Sequence, residues 1–230
     1  MRASIEKMRA NRVLLLALAL VATGCVHAVQ PALDLPEGPL MPSREAPPLV
    51  RVGEPVGLKL AGRAMSLVDH DGSLGRRDCT GLVETVFGET GLRVPVADVD
   101  GNSVAREYVG FQREGRLELD HPLPGDLAFF HDTWDRNRNG KLDDPLTHVA
   151  IVTEVDIDGT MTLVHFGSHG VASFHMNLYD LHLSHDAAGR RVNDRLRVQK
   201  RRDPPHTPYL ASELFTAFGR PLEQTAVAGR

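Results

Sequence analysis

One cysteine of this chain lies where acyl-transfer chemistry is possible. Cys79 follows Asp78 in the stretch RRDCTGLVETVF, where apolar residues begin to recur at helical spacing. We therefore expect Cys79 in the first turn of a helix, where unpaired N–H groups and the helix dipole favour a thiolate. A lowered pKa would make the thiol react rapidly with labelling reagents at mildly acidic pH. The alternative is that Cys79 is a small hydrophobic residue of the core.

Two histidines lie on neighbouring strand-like segments. His148 begins the segment HVAIVTEV, and His165 lies near the end of TMTLVHF. Both segments have the β-branched composition of strands, and DIDG between them is typical of a hairpin turn. We therefore expect the two histidines on adjacent antiparallel strands.

The register of this hairpin decides whether the two imidazoles can meet. If Val155 pairs with Thr160, His148 lies opposite Gly167 and His165 falls on the same face of the sheet. A change of one residue in the turn would place the two rings on opposite faces. In the first register, the cysteine and the two histidines form a nucleophile, a base and an orienting residue.

The remaining patterns indicate the frame that must position these residues. A helix, then strand-like runs joined by turns, predicts an α+β domain with helices on an antiparallel sheet. The individual predictions are helices over 57–69 and from Cys79 toward Gly91, strands over 126–130, 148–155 and 160–166, a weaker strand over 195–201, and a short amphipathic helix over 208–219.

The N-terminus has the pattern of an export signal. A basic leader, the apolar run VLLLALALVA and the small residues ATG precede Cys25. This pattern resembles a bacterial lipoprotein signal peptide over residues 1–24, which implies cleavage before Cys25 and lipid attachment to its thiol. Val26 after the cysteine suggests the outer membrane, facing the periplasm. The alternative is an ordinary signal peptide or a mistranslated start.

The proposed lipidation sets the boundaries of the rest of the chain. Residues 25–56 should be the lipidated cysteine and a proline-rich, semi-rigid linker. Residues 57–202 form the expected domain, and 203–230 a C-terminal tail with the short helix. With Cys25 lipidated, Cys79 has no disulfide partner, and a lone thiol in an oxidising compartment needs a function.

The overall composition argues against a nucleic-acid partner. A net charge of -4 with 5% aromatic residues has no basic footprint for nucleic acid. The single tryptophan, Trp134, has the chemistry to stack on a sugar, although packing is the expectation.

Four segments resemble the NlpC type of papain-like cysteine peptidase from bacterial cell walls. They are DCTGLVETVF, PGDLAFF, THVAIV and LVHFGS, and the related CHAP amidases share the HVAIV and DGT elements. The resemblance implies the papain-like NlpC fold, with Cys79 as nucleophile, His148 as base and His165 as orienting residue. It further implies a thioester mechanism on a peptide or amide bond of peptidoglycan stem peptides, often between D-glutamate and a diamino acid, without a required cofactor.

Two other functions remain open. Relatives commonly carry a tyrosine and a GG turn before the cysteine, and SLVDHDGSLGRR has neither. The absence of both features favours a catalytically inactive lipoprotein. Such a protein would bind peptidoglycan or a protein partner through a calcium-stabilised loop, the stretch DRNRNGKLDD. An amidase or acyltransferase using the same three residues is the other alternative.

The stretch DRNRNGKLDD resembles the first part of an EF-hand calcium loop. Oxygen-bearing residues recur at alternate positions around a glycine, but Leu146 stands where the bidentate glutamate would be. The alternative is a polar turn between strands. The ligands expected for a structural calcium are Asp135, Asn137, Asn139, Lys141 and Asp143.

Overall fold

The computed structural model describes residues 55–70, 74–201 and 203–222. The predicted signal peptide, Cys25 and the proline-rich linker up to residue 54 lie outside this part of the chain. In the described part, no helix has both the length and the apolar character needed to cross a bilayer.

The described elements alternate between helices and strands. The helices are α1 Pro55–Ser66, α2 Cys79–Glu89, α3 Ser103–Arg113 and α4 Ala211–Leu214, and the strands are β1 Leu117–Glu118, β2 Leu127–Phe130, β3 His148–Val155, β4 Thr160–Gly167, β5 Gly170–Asn177 and β6 Phe215–Gly219.

The strands form one antiparallel sheet with helices packed on it. Its order is β1-β6-β2-β3-β4-β5, and every neighbouring pair is antiparallel. The helices α1 and α2 both pack against β3, which places the helix that begins at Cys79 beside the strand that begins at His148. The predicted α+β class is confirmed.

Several predicted elements are confirmed, with small differences at their ends. The helix from Cys79 ends at Glu89, and α1 begins and ends earlier than expected. The sequence analysis missed α3, β1 and β5. The weaker strand predicted over 195–201 is wrong, since Arg195 makes only an isolated bridge to Leu210.

The C-terminal segment differs most from expectation. Instead of a tail with an amphipathic helix over 208–219, the chain makes the four-residue α4 and then β6, which pairs with both β1 and β2. All five residues of β6 are buried. A short apolar run such as LFTAFG is compatible with either a helix or a buried strand, and the open position between β1 and β2 decides for the strand.

The β3–β4 hairpin has the register that places both histidines on one face only beyond a β-bulge. Val155 pairs with Met161, one residue away from the assumed pairing with Thr160. A bulge at Thr153 then shifts the register back, so that Ile151 lies opposite Val164. From this point toward His148, the pairing is the one that places both histidines on one face.

The turn itself explains the initial offset. The N–H of Asp156 donates to the carbonyl of Thr160 at 2.8 Å, which leaves three residues in the loop. Gly159 has a φ of 82°, which is a left-handed conformation. Three-residue hairpin loops commonly need this conformation at one position, and glycine adopts it without steric cost.

Candidate functional site

Asp78 determines where helix α2 starts. Its backbone is extended, and its carboxylate accepts hydrogen bonds from the Gly81 N–H at 2.7 Å and the Thr80 hydroxyl at 3.0 Å. This is the N-cap arrangement that satisfies one of the unpaired amides of a first turn. Cys79 consequently occupies the first position of α2, as predicted.

Gly81 allows the preceding segment to lie against this helix. A Cβ at residue 81 would stand 2.1 Å from the carbonyl oxygen of Arg76. No other residue type fits there without moving the backbone just before Cys79. The glycine of DCTG is therefore a packing requirement of the segment that carries Cys79.

The two histidines form a hydrogen-bonded pair. Nε2 of His148 lies 2.8 Å from Nδ1 of His165, and the ring planes are almost perpendicular, at 87°. If Nε2 of His148 donates in this bond, its Nδ1 carries a free lone pair and can act as a base. The expected orienting contact between the two side chains is present.

Cys79 and His148 meet at one cavity of about 360 Å³. The sulfur accepts hydrogen bonds from the backbone N–H of Val149, the residue after His148, and from that of Thr80. Both contacts stabilise a thiolate. The structure thus brings the three residues singled out from the sequence to one place.

The protonation states differ from the expectation of a preformed thiolate. Burial raises the pKa of the Cys79 thiol to about 11. The hydrogen bond from the Val149 N–H acts in the opposite direction, but its effect is smaller. Burial and the neighbouring His165 lower the pKa of His148 to about 3. Desolvation disfavours the charged form of both groups, so that the resting pair is a neutral thiol and a neutral imidazole.

A buried acid behind the cysteine was missed by the sequence analysis. Glu107 is only 1% exposed, and neither carboxylate oxygen has a hydrogen-bond partner in the described residues. Burial, then repulsion from Glu84, raise its pKa well above the ordinary value. Glu107 follows Val104 by about one helical turn on a buried face of α3. An acid within an apolar stripe of a helix was the sequence signal that could have identified this residue.

The predicted calcium loop is held together by its own hydrogen bonds. The Asp135 carboxylate accepts from the Asn139 and Gly140 N–H groups, and Asp143 accepts from the side-chain amides of Asn137 and Asn139. The N–H of Lys141 donates to the Asn139 side chain. These contacts account for an ordered turn.

Side chains that could share a metal ion lie close together at a different place. Among the described residues, the one group of three such side chains is Glu118, Asp120 and His121, at and after β1. Asp135 and Asp143 belong to no such group, and calcium binding stays a prediction.

The loop has a second role at the cavity. Trp134, which immediately precedes this loop, and Arg136, which lies in it, line the cavity together with Arg77. Trp134 is 50% exposed, so half of its surface packs against the protein and the other half is open to solvent. The guanidinium of Arg77 lies over the ring of Phe166 at 5.7 Å, and that ring lines the cavity as well.

Comparison with known proteins is uninformative about function. No protein-family model and no curated protein matches the chain. Among solved structures, the chain is similar to the one titled "The crystal structure of Ly7917", with 17% identity and a TM-score of 0.38. The match covers 54% of this chain and 57% of that one, less than two thirds of its length. A likeness this low carries no argument.

Proposed function

We propose that this protein is a papain-like cysteine hydrolase of the NlpC type that cleaves a peptide or amide bond in peptidoglycan. The observation that carries the proposal is the meeting of Cys79 and His148 at one cavity, with His165 hydrogen bonded to His148. The Cys79 sulfur lies at a helix N-terminus against the Val149 amide, and the adjacent His148 is hydrogen bonded to His165 at 2.8 Å. This is the series that nucleophilic acyl transfer needs.

In the proposed reaction, His148 acts as a general base during the attack. Its neutral imidazole takes the thiol proton as the Cys79 sulfur forms a bond to the substrate carbonyl carbon. The resulting imidazolium passes that proton to the leaving amine when the carbon–nitrogen bond breaks, and a thioester remains. Water, deprotonated by His148, then attacks the thioester, and the proton returns to the sulfur.

His165 supports both steps by holding the ring of His148. By accepting the hydrogen bond from Nε2, it keeps Nδ1 as the basic nitrogen and shares the charge of the imidazolium. The backbone N–H of Cys79, at the first helical position, is the proposed donor to the oxyanion. This donor takes the place of the tyrosine that relatives commonly carry.

The proposal includes export and a lipid anchor. Lipidation at Cys25 would tether the chain to the outer membrane on its periplasmic side, and residues 25–56 would span the distance to the wall. No organic cofactor is needed for this chemistry. Calcium at the Asp135 to Asp144 loop is an additional proposal.

The test is digestion of purified peptidoglycan by the wild type and by Cys79→Ser. We expect the wild type to release fragments and the variant to lose about 1,000-fold or more of that rate. Cys25→Ser, which removes only the proposed anchor, is the matched control and should keep full activity in solution. The mass of the fragments distinguishes a peptidase from an amidase or acyltransferase.

A non-catalytic wall-binding lipoprotein is the second candidate. Two observations favour it: the high pKa of the Cys79 thiol and the absence of the tyrosine and GG turn. A wild type that binds peptidoglycan yet releases no fragment would establish this candidate and overturn the hydrolase.

A further inference from the structure

We propose that Trp134 and Arg136 form a recognition subsite for a substrate peptide that bears a carboxylate next to an apolar or ring face. The cavity that holds Cys79 and His148 has both side chains in its wall. The inference rests on the proposed function for the reaction that follows binding. The binding itself can be measured without turnover.

The loop that carries these two side chains is held firmly. The buried Asp144 accepts hydrogen bonds from the backbone N–H groups of Arg136, at 2.9 Å, and Asn137, at 3.2 Å. The hydroxyls of Thr133 and Thr147 lie 2.8 Å apart. Because these bonds join both ends of the loop just before β3, the loop is preorganised to hold its side chains beside His148.

A second element that lines the cavity is joined to the same loop. Asn102, the N-cap of α3, donates from its side-chain amide to the Leu146 carbonyl at 3.0 Å and also lines the cavity. Hydrogen bonds therefore hold two of the segments that line the cavity, the loop itself and the start of α3. A subsite built on such a frame can select a substrate at small entropic cost.

Trp134 is placed to bind a ligand. A tryptophan that served only the core would be largely buried, because its side chain is among the largest apolar surfaces available. Half of this residue is exposed, and it lies in the cavity wall. Its indole offers a flat apolar face for an aliphatic or ring group, and one N–H donor.

The charges of the cavity favour an anion. Arg77 and Arg136 are both exposed in the wall, while the chain as a whole carries a net charge of -4. The one acid in the lining is Asp78. Although burial opposes it, hydrogen bonds from Gly81, Arg76 and Thr80 hold its pKa below the ordinary value and use its oxygens within the protein.

A carboxylate is the anion that fits this wall. Arginine binds a carboxylate through two parallel N–H donors, and the described part of the chain uses Arg136 only through its backbone N–H. Two arginines beside one indole are far fewer cations than a polyanion needs. A peptide with a free carboxylate near the scissile bond matches both the charge and the apolar face.

The intrinsic fluorescence of Trp134 reports binding directly, because the chain has a single tryptophan. The experiment uses the full chain carrying Cys79→Ser in detergent, titrated with L-alanyl-γ-D-glutamyl-L-lysine and with the same tripeptide in which the glutamyl α-carboxylate is a carboxamide. We expect the acid to bind about 10-fold more tightly, the difference that one charge-assisted hydrogen bond contributes.

Two arginine variants separate the subsite from the general charge of the loop. Arg136→Gln should remove the preference for the acid and leave affinity for the amide unchanged. Arg138→Gln, an exposed arginine of the same loop outside the cavity lining, is the matched control and should keep the preference.

Each outcome decides the inference. Equal binding of acid and amide by the parent chain, no change of fluorescence with either, or a preference that survives Arg136→Gln overturns it. Selective binding together with an inactive Cys79 enzyme would keep the subsite and reject the hydrolase.

Discussion

The protonation states of Cys79 and His148 decide how this cysteine would act. A helix N-terminus and two N–H donors favour the thiolate, but Cys79 is partly buried, and the nearby acids Glu107 and Asp78 oppose a further negative charge. Desolvation outweighs the donors, so the pKa of the thiol lies at about 11. In the proposed reaction, the thiolate would therefore form only when His148 takes the thiol proton during the attack.

This predicts slow labelling of Cys79 at mildly acidic pH. In a Cys25→Ser chain, the rate with iodoacetamide should be low at pH 6 and should increase steadily toward pH 10, because the reactive fraction is the thiolate. Mass spectrometry of the labelled chain measures the rate, and a free cysteine peptide is the reference. Rapid labelling at pH 6 would instead indicate a thiolate–imidazolium pair and contradict the neutral state.

Helix α2 illustrates how one element satisfies both local and tertiary demands. Its start is specified locally by the Asp78 cap. Its contact with the preceding segment depends on Gly81, where a Cβ would overlap the Arg76 carbonyl. Gly88 is a later glycine of the same helix, and a Cβ added there would meet no atom within 4 Å. The two positions differ only in what surrounds them.

Alanine at these two glycines should therefore have opposite effects. Gly88→Ala should raise the free energy of unfolding by about 0.5–1 kcal/mol, since glycine is a poor residue for a helix interior. Gly81→Ala should lower it by about 1–3 kcal/mol, the usual cost of overpacking, and should displace the residues before Cys79. Urea unfolding of both variants measures the difference, and an equal stabilisation by both would refute the close contact.

Strand β6 joins the C-terminal segment to the centre of the fold. It lies between β1 and β2, and Phe215 and Phe218 belong to the hydrophobic core. Immediately after it, Arg220 pairs with the buried Asp126 at 3.0 Å. The residues expected to be a tail are thus part of the sheet on which the site depends.

Two truncations test this role. Removal of residues 203–230 should abolish cooperative unfolding, because it exposes the edges of β1 and β2 and opens the core. Removal of 223–230 alone leaves every described element in place and should keep the unfolding midpoint within a few degrees. Thermal unfolding followed by circular dichroism compares the two chains, and a cooperative transition in the shorter one would show that β6 is dispensable.

Local interactions within the sequence determined the start of α2 at Cys79, the strands β2, β3 and β4, and the candidate roles of the cysteine and the two histidines. Caps, turns and alternating patterns act over a few neighbouring residues and are visible without the fold. The hairpin shows the limit: the assumed pairing of Val155 was wrong by one residue, and only the bulge at Thr153 restores the face that His148 and His165 share.

Three features depend on the tertiary structure alone. They are the interior position of β6 in the sheet, the burial that raises the pKa of the Cys79 thiol, and the presence of Trp134 and Arg136 in the wall of the cavity. Each of these depends on contacts between residues far apart in the chain. Desolvation and open sheet positions are properties of packed surroundings, which no local pattern of residues encodes.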